Sequence, residues 1–283
     1  MNILLIGDTI KSKNLGCQLV SHSFREGFKK YFSEDSVTYL DLFKPTSYVS
    51  PNYDKVIVNG EGAISKSVNE NIYNPVVKCL EEGIPTHFTN FTYDPRIIRG
   101  KEFTPSINYG FEKEWMDVFK RCVTVSVRDP ISYQYLKERG IKEVKLYPDI
   151  GFTIGNNNSK ERSNRVLLGL GSITKRADIN KNQIKMLINN ITELNYEVYL
   201  LDWPSHPHSD GYYLQGLANN QNVFYKQVTF QEYFELCQTS KLNITGRHHG
   251  VVMSAAAQCP YITFETNMWK TEGDNLLYGP LYY

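Results

Sequence analysis

The segment TGRHHG, residues 245–250, carries the residue types best suited to chemistry in this sequence. A strand-like run and a glycine lead into Arg247, His248 and His249, and a run of small residues with helical character follows. Imidazole exchanges a proton near neutral pH, and a guanidinium balances the charge of a departing phosphate. In a strand-like segment alternate side chains share a side, so the spacing pairs His249 with Arg247 and sends His248 the other way.

Further candidates lie just after apolar strand-like runs, where an open parallel sheet collects ligands. Asp8, Asn14 and Gly16 fall in the first such loop; they fit an anion approach at a helix entrance or a simple turn and cap, and the spacing is not a dinucleotide fingerprint. Asn59, Gly60, Glu61 and Gly62 follow the next strand, as an ordinary turn or as backbone N–H groups facing an anion, with Glu61 near enough to orient a hydroxyl. Arg128 ends the run VTVSVRD, as a forked cation for a substrate or as the partner of Asp129, and Asp149 ends a later strand after Pro148. Lys175 and Arg176 follow the run RVLLGLGS and could hold an anion or be solvated. Glu265, Asn267, Trp269 and Lys270 follow PYITF, with Trp269 able to stack on a sugar or base. His206 and His208, beside Asp202 and Asp210, sit in a proline-punctuated loop without helical metal-ligand spacing, so no metal site is expected.

Positioning these groups requires strands that end in loops, and the chain repeats strand then helix throughout. Strands are expected at 3–6, 37–42, 55–64, 85–91, 123–129 and 144–149, with helices at 17–31, 75–83, 112–122 and 130–140. The tract GNNNSKERSN, 155–164, has no apolar residue and reads as a linker. Beyond it come strands at 165–172, 196–203, 222–228, 241–246 and 260–264, and helices at 182–194, after Thr229 with a capping box to Glu232, and at 250–258. Two α/β domains with parallel sheets covered on both faces follow, 1–154 and 165–283, with a cleft between two lobes.

Composition agrees with this reading and removes other classes. The 283 residues suit two domains, 41% apolar and 22% charged residues exclude a disordered chain, and a net charge of +1 gives no global drive toward nucleic acid. Five widely spaced cysteines support neither a disulfide framework nor a metal cluster and point to a reducing compartment. No apolar run reaches the roughly 18 residues of a membrane span, so any membrane association is expected to be peripheral.

With these motifs in place, the chain resembles the polysaccharide pyruvyl transferases. The likeness rests on DTIKSKNLG at 8–16, VIVNGEG at 56–62, SVRDPISYQYLKERG at 126–140 with YPD at 147–149, and TGRHHGVVMSAAAQCP at 245–260 followed by ETNMWK. The resemblance implies two Rossmann-like domains in a glycosyltransferase-like B (GT-B) arrangement, the first on the acceptor side and the second on the donor, anion-holding side. It implies transfer of pyruvate from phosphoenolpyruvate to two hydroxyls of a sugar in a glycan or lipid-linked precursor, in the cytoplasm or at the inner face of the membrane, with no cofactor and no metal. The family's RxHG arginine and histidine fall on Arg247 and His249 and its strand-end arginine on Arg128, while His248 stands where the family often has a hydrophobic residue.

The expected chemistry uses His249 to supply or relay a proton, Arg247 and Arg128 to hold phosphate and carboxylate, and Glu61 and Asp149 to orient or deprotonate acceptor hydroxyls. Two other classes fit the same two-lobe plan. One is a nucleotide-sugar glycosyltransferase; the other is an inactive glycan-binding protein. The residues give no oligomeric state.

Overall fold

The computed structural model describes residues 1–44, 52–60, 66–92, 97–98, 101–102, 112–155, 160–170, 181–203, 211–218, 221–263, 275 and 277–278. They divide into two compact units, Met1–Lys11 with Val20–Ile150, and Ser12–Leu19 with Gly151–Tyr283.

The first unit is built on β1 (Asn2–Asp8), β2 (Ser36–Asp41), β3 (Lys55–Asn59), β4 (Thr86–Phe91), β7 (Thr124–Val127) and β8 (Val144–Leu146), all parallel, in the order β2-β1-β3-β4-β7-β8. Two-residue strands β5 (Ile97–Ile98) and β6 (Lys101–Glu102) form a separate antiparallel pair. The apolar run of β1 serves both faces, as a period of two requires. Leu4 and Ile6 join the cluster of Val76, Phe88, Trp115 and Leu136, contributed by α2 (Lys66–Glu81), α3 (Glu112–Arg121), α4 (Pro130–Glu138) and β4. Ile3 and Leu5 meet Val20, Phe24 and Phe28 from α1 (Leu15–Tyr31). The expected helix at 75–83 starts nine residues earlier, with Pro75 inside it. A proline there removes its own N–H from the ladder and crowds the carbonyl four residues back, and burial of Ile72, Val76 and Cys79 on the sheet opposes that cost. Gly83, just past this helix, has φ +72°, the left-handed stop that glycine tolerates.

The second unit repeats the plan with β9 (Ser163–Gly169), β10 (Glu197–Asp202), β11 (Val223–Gln227), β12 (Ser240–Thr245) and β13 (Tyr261–Thr263), all parallel, in the order β11-β10-β9-β12-β13. Its helices are α5 (Lys181–Glu193), α6 (Gly211–Gln215), α7 (Phe230–Thr239) and α8 (His248–Ala256). Val166, Leu168, Val198 and Leu200 face Ile184 and Ile188 of α5, while Leu167, Leu201 and Trp203 face Tyr233 and Phe234 of α7 and Met253 of α8. The capping box at the start of α7 forms as expected: Thr229 Oγ1 accepts from the Glu232 N–H, and Glu232 accepts from the Thr229 N–H.

The grouping differs from a single cut at 155–164: Ser12–Leu19 and Gly151–Ile154 belong with the second unit, and β9 begins at Ser163, inside the expected linker. Leu15 and Leu19, one helical turn apart, bury their side chains in the cluster of Trp203 and Tyr233. None of the five cysteines forms a disulfide, and no helix among the described residues is long and apolar enough to cross a membrane.

Candidate active site

In each sheet the connections reverse direction beside the first strand, between β1 and β3 and between β9 and β12. The carboxyl ends of strands at such a switch point are where ligands bind in doubly wound sheets.

In the second unit TGRHHG leaves β12 at that place. The Gly246 N–H donates to the Gly169 carbonyl at 2.9 Å, extending the β9–β12 pairing, and the Arg247 N–H donates to Thr245 Oγ1 at 3.1 Å. The chain turns helical at His248, two residues before the expected start, with Arg247 as the extended residue ahead of it. This corrects the alternation drawn from a strand: His248 and His249 are the first two residues of α8, and their rings meet edge to face at 4.5 Å. Arg247, His248 and His249 are all buried, and the Arg247 guanidinium carbon lies 5.1 Å from the centre of the Trp203 ring.

Buried polar contacts set the start of α8. Asn243 Nδ2 donates to the Tyr233 hydroxyl at 2.9 Å and to Ser254 Oγ at 2.6 Å, and Ser254 Oγ donates to the Gly250 carbonyl at 2.7 Å. Burial pushes the Tyr233 phenol far above its ordinary range, so it stays neutral. Gly250 has no room for a side chain: a Cβ there would press on Thr245 and lie 3.0 Å from the Tyr233 hydroxyl. These contacts bind α8 to β12 and α7.

The early loop reaches the same group. Asn14 caps α1, its Oδ1 accepting from the Gly16 N–H at 2.9 Å and its carbonyl from the Gln18 N–H at 3.0 Å. A Cβ on Gly16 would lie 2.6 Å from Cε1 and Cγ of His249. Gly16 is therefore the seat of the His249 ring.

The first unit gathers its candidates at the β1–β3 switch point and along β7. Asp8 is buried at the end of β1 and accepts from Arg25 at 2.5 Å, and that guanidinium covers the Tyr39 ring at 4.0 Å. Asn59 Nδ2 donates to the Gly7 carbonyl at 3.0 Å. Gly60 corrects the expectation of a presented N–H: it donates to the Thr89 carbonyl at 2.9 Å, continuing the sheet, and a Cβ would lie 2.6 Å from the Phe88 ring. Arg128, buried just past β7, reaches partners distant in sequence. Its Nε donates to Thr92 Oγ1 at 2.9 Å and its terminal nitrogen forms an ion pair with Asp149, both side chains being 1% exposed. Asp129 caps α4, accepting from the Ser132 N–H at 2.7 Å and from its hydroxyl at 2.6 Å.

Glu61, Gly62, Lys175, Arg176, Glu265, Asn267, Trp269 and Lys270 lie outside the described residues, as do His206 and His208.

The family model for polysaccharide pyruvyl transferase matches residues 14–267, nearly the whole chain. The chain belongs to the polysaccharide pyruvyl transferase family. It is accordingly a transferase, and pyruvylation of a sugar from phosphoenolpyruvate is this family's activity. Among curated proteins none matches the chain. Solved structures with two Rossmann-like domains do. A functionally uncharacterized protein of Klebsiella pneumoniae is 13% identical, with a TM-score of 0.56 over 98% of this chain and 87% of its own. The UDP-GlcNAc 2-epimerase of Methanocaldococcus jannaschii is 14% identical, with a TM-score of 0.60 over 99% and 87%. That of Neisseria meningitidis, bound to UDP-GlcNAc, is 11% identical, with a TM-score of 0.52 over 93% and 82%. At such identities the likeness concerns the fold, which is of the GT-B class.

Two residues packed around the Arg247–His249 segment were not singled out from the sequence: Trp203 and Asn243. Trp203 closes the expected strand 196–203 yet stands just past the end of β10, and Asn243 is a fully buried polar side chain between Leu242 and Ile244 of β12. Each carries a signal: position after a strand for Trp203, and a polar residue between two apolar ones for Asn243.

Proposed function

We propose that the Arg247–His249 segment is the reacting centre for transfer of pyruvate from phosphoenolpyruvate to two hydroxyls of a sugar in a glycan or a lipid-linked precursor. The observation that carries this reading is the buried placement of Arg247 and His249 at the switch point of the second sheet, with His249 seated against Gly16. His249 delivers a proton to the methylene carbon of phosphoenolpyruvate, and the first sugar hydroxyl adds to the neighbouring carbon and releases its own proton. Phosphate then leaves with its bonding electron pair, and the second hydroxyl closes the ketal as its proton is lost. One hydroxyl proton thereby ends in the new methyl group and the other on phosphate. Arg247 balances the negative charge that gathers on the departing group. Arg128 keeps the role of a cation for substrate anions, with Asp149 fixing its guanidinium. A lipid-linked acceptor would bring the chain to the inner face of the membrane.

The test is a donor screen with phosphoenolpyruvate and nucleotide sugars on a panel of glycan acceptors, read by phosphate or nucleotide release and by product mass. A mass gain matching a pyruvate ketal, lost in His249→Gln, is the expected result. A gain matching a hexose, or unchanged turnover in His249→Gln, overturns the assignment.

A further inference from the structure

We propose that Trp203 is a substrate-binding residue whose indole N–H donates to an oxyanion of the donor held by Arg247. This rests on the reading of the Arg247–His249 segment as the reacting centre.

Trp203 follows β10, and its side chain is 1% exposed. Its ring meets that of Tyr233 at 5.2 Å with the two planes near perpendicular, and the Arg247 guanidinium carbon lies 5.1 Å from its ring centre. Packing and cation–π attraction account for the ring. They do not account for Nε1, which is buried without a hydrogen-bond partner among the described residues. An indole nitrogen can only donate, and buried donors are nearly always satisfied. The neighbouring carboxylate, Asp202, is taken up by the Tyr225 hydroxyl at 2.8 Å and Gln227 Nε2 at 3.3 Å.

A guanidinium over a ring whose own N–H awaits an acceptor selects the chemistry of the missing partner. A cation is repelled by Arg247, and an apolar group leaves the N–H unsatisfied. A phosphate or carboxylate oxygen accepts from the indole N–H and is attracted by the guanidinium beside it. The side chain would then have two tasks, holding the guanidinium plane with its face and adding a hydrogen bond with its edge.

Trp203→Phe keeps an aromatic face under Arg247 and deletes only the donor. Calorimetric titration with phosphoenolpyruvate, and separately with inorganic phosphate, should give Kd values raised on the order of tenfold in the variant, the loss of one hydrogen bond to a charged group. In wild-type protein labelled with ¹⁵N, the Trp203 indole resonance should shift on adding either probe, which keeps the test decisive should the variant fail to fold. Equal Kd values in wild type and variant, or an indole resonance that ignores both probes, overturn the proposal. If wild type binds phosphate but not phosphoenolpyruvate and the indole responds, Trp203 is upheld and the donor assignment fails. If it binds phosphoenolpyruvate and the variant binds it equally, the donor stands and Trp203 falls; if wild type binds neither probe, both fall.

Discussion

The imidazole of His249 lies where a side chain on Gly16 would begin. Two segments more than two hundred residues apart in sequence thus form one contact inside the second unit. Gly16 sits in the first turn of α1, where alanine would otherwise favour the helix by up to ~1 kcal/mol. Gly16→Ala is therefore expected to leave the melting temperature little changed while lowering kcat. Displacing a reacting group by about 1 Å can cost roughly 100-fold. Phosphate release measured beside a thermal melt separates the two effects, and a Gly16→Ala enzyme with full turnover would show that the seat is not needed.

Touching rings do not imply equal roles for the two histidines. On the proposed reading His249 is the reacting histidine, and the His248 ring packs against it edge to face. His248→Leu should change turnover by less than roughly tenfold, while His249→Gln should lower it by on the order of 10²–10⁴, the range of a general acid. Steady-state kinetics with both variants at saturating phosphoenolpyruvate decide the assignment. A larger loss in His248→Leu would reverse it.

Much of this arrangement can be read from residue order, and the parts that cannot have a common cause. Strands such as LLIG and VLLG declare themselves because buried parallel strands need apolar side chains on both faces. Thr229 and Glu232 declare a helix start because their contact is local. Gly16 is legible as a glycine at a helix entrance, yet nothing nearby says that an imidazole from residue 249 requires the space. Likewise Arg128 has an acidic neighbour at Asp129, and proximity in sequence favours that pair. The structure uses Asp129 for the α4 cap and brings Asp149 to the arginine through the pairing of β7 with β8, which sequence proximity does not announce. The helical start at His248 escaped alternation because Thr245, Gly250 and Asn243, rather than local propensity, set it.

The Arg128–Asp149 pair yields a stability prediction. Both side chains are 1% exposed, so removing one partner leaves the other's charge buried without its ion pair. Asp149→Ala should destabilise the protein by about 3–5 kcal/mol, more than is usual for a single substitution. Replacing both partners with apolar residues of similar volume should cost less than Asp149→Ala alone. Urea unfolding of the two single variants and the double variant tests this non-additivity. Additive losses would mean that the two side chains act independently.

His87 gives the stability a dependence on pH. It lies on β4, with Nδ1 at 2.9 Å from Thr124 Oγ1, and burial, followed by repulsion from Lys55 and Lys145, lowers its pKa from the usual histidine value. The unfolded chain takes up this proton near pH ~6.5, while the folded chain resists it until a lower pH. Below pH ~6.5 the unfolded state therefore binds more protons, and stability falls as pH drops until the folded histidine also titrates. Above that range both states are neutral and His87 contributes no slope. Urea midpoints between pH 7.5 and pH 5.5 should decline more steeply in the wild type than in His87→Asn, whose side chain does not titrate. Parallel declines would mean that other groups set the acid sensitivity.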